Sequence, residues 1–492
     1  MRPLQPVQIE AMDLRRFEAV ISTEEYQELL ALIDRAAAAL HGRVIWNVNS
    51  TASGGGVAEL LRTLLGYSRG GGIDARWLVV SGGPAFFEVT KRIHNQLHGF
   101  DGDGRGLSET ERAIYEGTLA ENALELLPLI HPEDIVILHD PQTAGLVDEV
   151  RRTGAAVIWR CHVGVDHPNA RVHEAWSFMR RYVLGAEAYV FSRAQFAWDG
   201  LDPRKVAVIH PSIDPFSAKN QDQSAAQTLG ILVRAGIVAD ERPEQATFTH
   251  GDATPGRIDR PAALLETKQV TPADRFIVQV SRWDELKDPV GVMAGFARHI
   301  ADRTDAHLVL AGPEAESVAD DPEAAAVIGF VRDAWHALGD AIQSRVHVAS
   351  LPMTDIGENA AIVNALQRRA AVVVQKSIAE GFGLTVAEAM WKEGAVVASA
   401  VGGIQDQIVD GESGVLLSDP RDLAAFGTAV VNLLEDRERA ERMGVAARAR
   451  VRQEFLPPRH LSRHFDLIER VLSARERERK MTVWAPSSAG SL

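Results

Sequence analysis

Cysteine is nearly absent from this chain of 492 residues; Cys161 is the only one. No intrachain disulfide can form, and such usage fits a reducing compartment. Long apolar stretches are missing as well: nowhere do about 18 apolar residues run together, the length that a membrane span needs. The start, residues 1–21, mixes charged and apolar residues, so a secretory signal is not expected. Positive charge is also short, since 52 Lys and Arg against 67 Asp and Glu leave a net charge of −15. That balance excludes the basic face a nucleic-acid partner requires and disfavours an anionic membrane surface. The expectation is a soluble, cytoplasmic chain with neither partner; a homodimer stays open.

Metal and nucleophile signatures are lacking too. His167 and His173 have no Cys partners and no His-Glu-x-x-His pattern. Asp101-Gly-Asp103 has the spacing of some metal-dependent transferases, but it sits in the Gly-rich stretch 99–106, flexible by composition. Neither Gly-x-Ser-x-Gly nor a cysteine-dependent site occurs. No metal and no bound cofactor are expected.

What the sequence does contain is a repeated alternation. Short β-rich apolar runs at 44–48, 77–80, 135–138, 156–159, 188–191 and 206–209 are separated by helical stretches. A second series follows at 276–280, 308–310, 346–348, 371–374 and 396–398. Continuous apolarity predicts strands buried on both faces, as in parallel sheets covered by helices. The fold class is therefore α/β, with two Rossmann-like doubly wound domains facing a cleft. Residues 1–212 form the first domain and 213–458 the second. Between the two series, a stretch rich in Gln, Asp, Ala and Pro reads as a crossing, a helix near 225–235 and a loop, with 221–271 as an insertion. Residues 436–479 are helical in pattern with a break at Pro457-Pro458, and 479–492 read as a flexible tail.

In doubly wound sheets ligands sit beyond the carboxyl ends of the strands, and the candidate residues cluster there. After the first run, Gly54, Gly55 and Gly56 precede a helix; glycines let backbone N–H groups approach a ligand, and a helix start favours negative charge. The bland alternative is a tight strand–helix turn. Arg282 and Lys287 follow the run 276–280, and suit phosphate as a fork of donors and a mobile point charge; solvated loop cations are the alternative. In Glu380-Gly-Phe-Gly-Leu-Thr-Val-Ala-Glu388 one carboxylate lies in a loop and the other in a helix. The helix start near Gly383, Leu384 and Thr385 can face a diphosphate; the alternative is a capped helix with a surface Glu. His139-Asp-Pro-Gln142 and Arg160-Cys-His162 occupy matching strand ends, and Gly402-Gly403 supplies another turn with backbone donors.

Together these segments resemble the GT-B glycosyltransferases of family 4. The Glu380/Glu388 pair is similar to that family's paired-glutamate signature, and Ser281-Arg-Trp-Asp284 to its phosphate-binding loop. Asn49-Ser-Thr-Ala-Ser-Gly-Gly-Gly56 and Arg160-Cys-His162 narrow the resemblance to trehalose glycosyltransferring synthases and the related retaining trehalose phosphorylases. The resemblance implies that Arg282 and Lys287 hold the donor diphosphate, Glu388 the ribose and Glu380 the donor glucose. It places His162 beside that glucose, and Gly54–Gly56 at the acceptor, with Asp140, Gln142, Arg160, Gly402 and Gly403 also lining the substrate site. It implies a nucleoside diphosphate glucose as co-substrate, glucose as acceptor, retention of configuration, and a helical C-terminus (459–478) that returns to the first domain. The chain departs from the family at Asp288, where Gly is usual after the phosphate-binding Lys. Trehalose phosphorolysis, a different acceptor, nucleotide-sugar epimerisation and non-catalytic sensing remain competing readings.

Overall fold

A computed structural model of the chain describes residues 4–52, 56–240, 246–251, 253–314 and 322–484. It divides into two compact units, Met1–Ser212 with Pro457–Leu492, and Ile213–Leu456. The first unit holds seven strands: β1 (Gln5–Val7), β2 (Ile45–Asn49), β3 (Ala75–Val79), β4 (Ile135–His139), β5 (Ala156–Cys161), β6 (Ala188–Phe191) and β7 (Val206–Val208). Their order is β1-β3-β2-β4-β5-β6-β7. All neighbours are parallel except β1, which pairs antiparallel with β3. Every residue of β2, β4, β5 and β6 is buried, because helices cover both faces of a parallel sheet.

The second unit opens with β8 (Thr247–Thr249), β9 (Pro255–Arg257) and β10 (Ala263–Leu265). Its main strands are β11 (Phe276–Val280), β12 (His307–Pro313), β13 (Val346–Leu351), β14 (Val372–Gln375), β15 (Val396–Ser399) and β16 (Val415–Leu417). The sheet order is β10-β13-β12-β11-β14-β15-β16, with β10 antiparallel at the edge and β8-β9 a separate hairpin. Each unit is a doubly wound α/β sheet of the kind read from the apolar runs.

Among the described residues, five strands lie outside those runs. β1 and β10 are edge strands with exposed or half-buried residues, and β16 is half-buried, so none shows a continuous apolar run. The stretch 221–271 contains the expected helix, Ala225–Arg234, and adds three short strands, β8, β9 and β10, within the expected loop. The last helix, Pro457–Trp484, starts with Pro at its first turn and packs on helices Thr23–Ala39 and Gly56–Gly70. It carries residues 479–484, assigned to the tail by composition, and 485–492 lie outside the described residues. Among the described residues no helix is long and apolar enough to cross a membrane.

In each sheet the chain first builds outward in one direction and then returns to build in the other. That reversal falls between β2 and β4 in the first unit and between β11 and β14 in the second. Loops leaving the strands at such a point diverge, which opens a crevice for a ligand.

Candidate active site

In the second unit, Lys287 and Glu380 lie on the two loops that leave β11 and β14. Beyond β11, Asp284 caps a one-turn 3-10 helix, Glu285–Lys287, by accepting the Leu286 N–H at 2.8 Å. Asp288 follows in the left-handed conformation (φ 50°, ψ 49°), and Pro289 starts the helix Pro289–His299. Lys287 Nζ thereby reaches Glu380 Oε2 at 2.6 Å, with side chains only 14% and 12% exposed. The Ile378 N–H donates to the Leu286 carbonyl at 2.7 Å, and Gln279 Nε2 donates to the Lys287 carbonyl at 2.8 Å. The first bond joins the two loops, and the second anchors the Lys287 backbone to β11.

After Glu380, Gly383 adopts φ +80° and begins helix Leu384–Trp391 without a side-chain cap. The helix therefore presents its first-turn donors, at Leu384 and Thr385, with no cap in front of them. Gly402 and Gly403 underlie this loop: a Cβ on Gly402 would stand 1.8 Å from the Glu380 carbonyl oxygen. The Gly403 N–H already donates to the Gly381 carbonyl at 2.9 Å. Their role in the structure is close backbone approach, and the donor expected of Gly403 is spent on the loop itself.

Arg282 leaves the same strand as Lys287 and is 61% exposed, with Asp284 3.6 Å away, so its fork has room to move toward an anion. Glu388 sits in the helix as expected but is buried, with Lys219 Nζ 3.5 Å from its carboxylate. Lys219 had no signal in the sequence, because it lies 169 positions away in the crossing segment.

The first unit gathers polar groups at the equivalent strand ends. His139 stacks on His162, with Nδ1 3.2 Å from His162 Nε2 and its own Nε2 3.0 Å from Asn47 Oδ1. With the Asn47 oxygen accepting, His139 is protonated on Nε2 and accepts from His162 Nε2–H, which leaves His162 Nδ1 as an acceptor for a hydroxyl. Burial, and then the Arg160 charge, hold both imidazoles neutral with pKa values well below the usual 6.5. Asp140 is a non-glycine residue at φ +62°, a strained conformation typical of ligand clamps. Its carboxylate accepts the His162 N–H at 2.7 Å, and burial raises its pKa to about 7 despite that bond and Arg160.

Arg160, expected to line the substrate site, is fully buried. Nη1 lies 3.1 Å from His460 Nε2, and Nη2 donates to the Ile209 carbonyl at 3.4 Å. Since a guanidinium only donates, His460 accepts at Nε2 and carries its proton on Nδ1, 3.0 Å from Ser212 Oγ. Arg160 therefore acts from beneath the site, as a fixed charge near Asp140 and the histidines. Gln142 is half-buried, and its Oε1 has no hydrogen-bond partner among the described residues. Gly56 begins the helix Gly56–Gly70, while Gly54 and Gly55 lie outside the described residues. His460 and His464, four apart on one helix face, were the sequence signal for this support that went unread. The two carboxylates of the 99–106 loop are exposed but ion-paired: Asp103 pairs with buried Arg92 at 2.6 Å, and Asp101 with Arg171. The two pairs tie the loop to helices Pro84–Leu97 and Ala170–Val183.

Comparison with solved structures fits this arrangement. The chain superposes on an α,α-trehalose-phosphate synthase (UDP-forming) from Burkholderia xenovorans with a TM-score of 0.64 and 15% identity, covering 88% of this chain and 100% of that one. Two doubly wound units of this kind, with a group 1 glycosyl transferase match over residues 355–450, make the protein a GT-B glycosyltransferase. The family described as "Trehalose synthase, N-terminal domain" matches residues 47–198. Identity is 34% over 459 residues to the trehalose synthase of Pyrococcus horikoshii (92% of this chain, 95% of that one). It is 35% over 463 residues to that of Rubrobacter xylanophilus (93% and 97%). A trehalose phosphorylase from Grifola frondosa is 24% identical, with 82% of this chain covering 54% of the relative. The chain belongs to the trehalose synthase family, and its activity is trehalose-related glycosyl transfer.

Proposed function

We propose that the protein transfers glucose from a nucleoside diphosphate glucose to free glucose, with retention, forming trehalose. The observation that carries this reading is the Lys287–Glu380 pair, 2.6 Å apart at the reversal point of the second sheet. As the glycosidic bond to the diphosphate breaks, negative charge grows on the bridging oxygen. Lys287, Arg282 and the uncapped start of helix Leu384–Trp391 supply fixed positive potential for it. Glu380 then accepts from hydroxyls of the donor glucose, and Glu388 from the ribose. In the first unit His162 Nδ1, its tautomer set by His139, and Asp140 accept from sugar hydroxyls, with Gln142 beside them. The departing phosphate oxygen takes the proton of the acceptor hydroxyl on the face it leaves, so configuration is retained without a protein nucleophile. No metal enters this scheme, because the cations of the chain take the charge on the leaving group.

Incubating the protein with UDP-, ADP- and GDP-glucose together with free glucose tests the reading. A non-reducing disaccharide with an α,α linkage supports it. A reducing disaccharide, or interconversion of the nucleotide sugar without acceptor, overturns it. Phosphate-dependent release of glucose 1-phosphate from trehalose would instead select phosphorolysis.

A further inference from the structure

At position 288 the chain carries Asp where the family it resembles usually has Gly, directly after Lys287. The backbone there keeps the conformation glycine favours, φ 50° and ψ 49°. Aspartate tolerates this region better than most residues, and its side chain gains two partners. One carboxylate oxygen accepts the Gly291 N–H at 3.0 Å, capping helix Pro289–His299. The other pairs with Lys376 Nζ. Lys376 is the first residue after β14 and lies four positions before Glu380. Its side chain is 0% exposed, and its ammonium also donates to the Pro420 carbonyl at 2.7 Å. A second feature matches this use of Asp288: a Cβ on Gly291 would lie 2.1 Å from the Asp288 carboxylate, so the pair requires glycine there.

A fully buried ammonium is strongly unfavourable without a charged partner. Glycine at 288 would satisfy the backbone and leave Lys376 without its carboxylate. Asp288, Gly291 and Lys376 therefore form one device, joining the segment after Lys287 to the segment before Glu380. We infer that Asp288 and Lys376 are positioning residues for the donor-phosphate end of the active site, setting Lys287 against Glu380 by an ion pair in place of a glycine turn. This rests on the reading of Lys287 and Glu380 as the groups that meet the donor.

The test is a cycle of D288G, K376M and the double variant D288G/K376M in the full chain. It measures binding of UDP, ADP and GDP, and separate KM values for donor and glucose. Each single variant should lower kcat/KM for the donor at least tenfold and weaken nucleoside diphosphate binding, while the glucose KM stays within twofold. The double variant, with no charge to satisfy and a residue suited to positive φ, should recover most of the loss. General unfolding would lower the active fraction without separating the two substrates, and would not be rescued. Folded single variants with unchanged donor parameters, or a double variant whose loss is the product of the single losses, overturn the inference. If the unaltered protein binds none of these nucleotides, the functional reading itself fails instead.

Discussion

Replacing Glu380 with Gln keeps the shape of the side chain and removes the charge that occupies Lys287. The pair is 2.6 Å apart and largely buried, so an incoming diphosphate competes with the protein's own carboxylate for the lysine. Hydrogen bonds to charged groups contribute about 1.5–3 kcal/mol. Both side chains keep some contact with water, which favours the lower end of that range, about 1.5 kcal/mol or roughly tenfold in affinity. Calorimetric titration of E380Q with a nucleoside diphosphate should therefore show binding about tenfold tighter than in the unaltered protein. Turnover should move the opposite way, falling on the order of a hundredfold, because a group aimed at the reacting sugar is lost. Binding that is unchanged or weaker in E380Q would refute the argument, since the carboxylate would then not be what holds Lys287 back.

Lys287→Ala and Arg282→Ala should each lose on the order of a hundredfold in turnover, measured as nucleoside diphosphate release; near-normal turnover of both contradicts their assignment. Burial followed by Arg160 holds the pKa values of His139, His162, His460 and His464 down. Their folded values lie below the unfolded one, so the stability they contribute is present above about pH 6.5 and lost below it, at about 1.4 kcal/mol per histidine per pH unit. Asp140, raised to about 7 by burial, acts with the opposite sign, gaining stability as pH falls from 7 toward its unfolded value near about 4. Four groups outweigh one, so Tm should drop between pH 7.5 and 5.5, and more steeply in D140N; a flat Tm contradicts this balance. Gly402→Ala should cost about 1–3 kcal/mol and lower donor kcat/KM, since the new Cβ would meet the Glu380 carbonyl at a positive φ. Gly117→Ala, on the exposed side of helix Glu109–Leu126 with nothing within 4 Å of its Cβ, is the control that should keep activity without lowering Tm.

The parallel strands were legible because burial on both faces leaves an unbroken apolar run, as in Ile135–His139, where every residue is buried. The same logic hid β1 and β10, whose outer faces meet solvent. Lys287 and Glu380 could be placed at strand ends from sequence, but their contact depends on which strands are neighbours, and β11 and β14 lie about ninety positions apart. Lys219 and Lys376 were invisible for the same reason: each serves a partner brought near only by the fold, whereas the His460/His464 spacing was there to be read. Arg160 shows the reverse error. Its place at a strand end suggested a ligand contact, whereas the strand directs it under the sheet end toward His460.

The central claim is that the group leaving glucose is a nucleoside diphosphate gripped at Lys287. Phosphorus NMR during a reaction with nucleoside diphosphate glucose and glucose tests it directly. The account predicts free nucleoside diphosphate appearing in one-to-one proportion with trehalose. Trehalose formed with no change in the nucleotide signals, or made only from glucose 1-phosphate with release of inorganic phosphate, would contradict it.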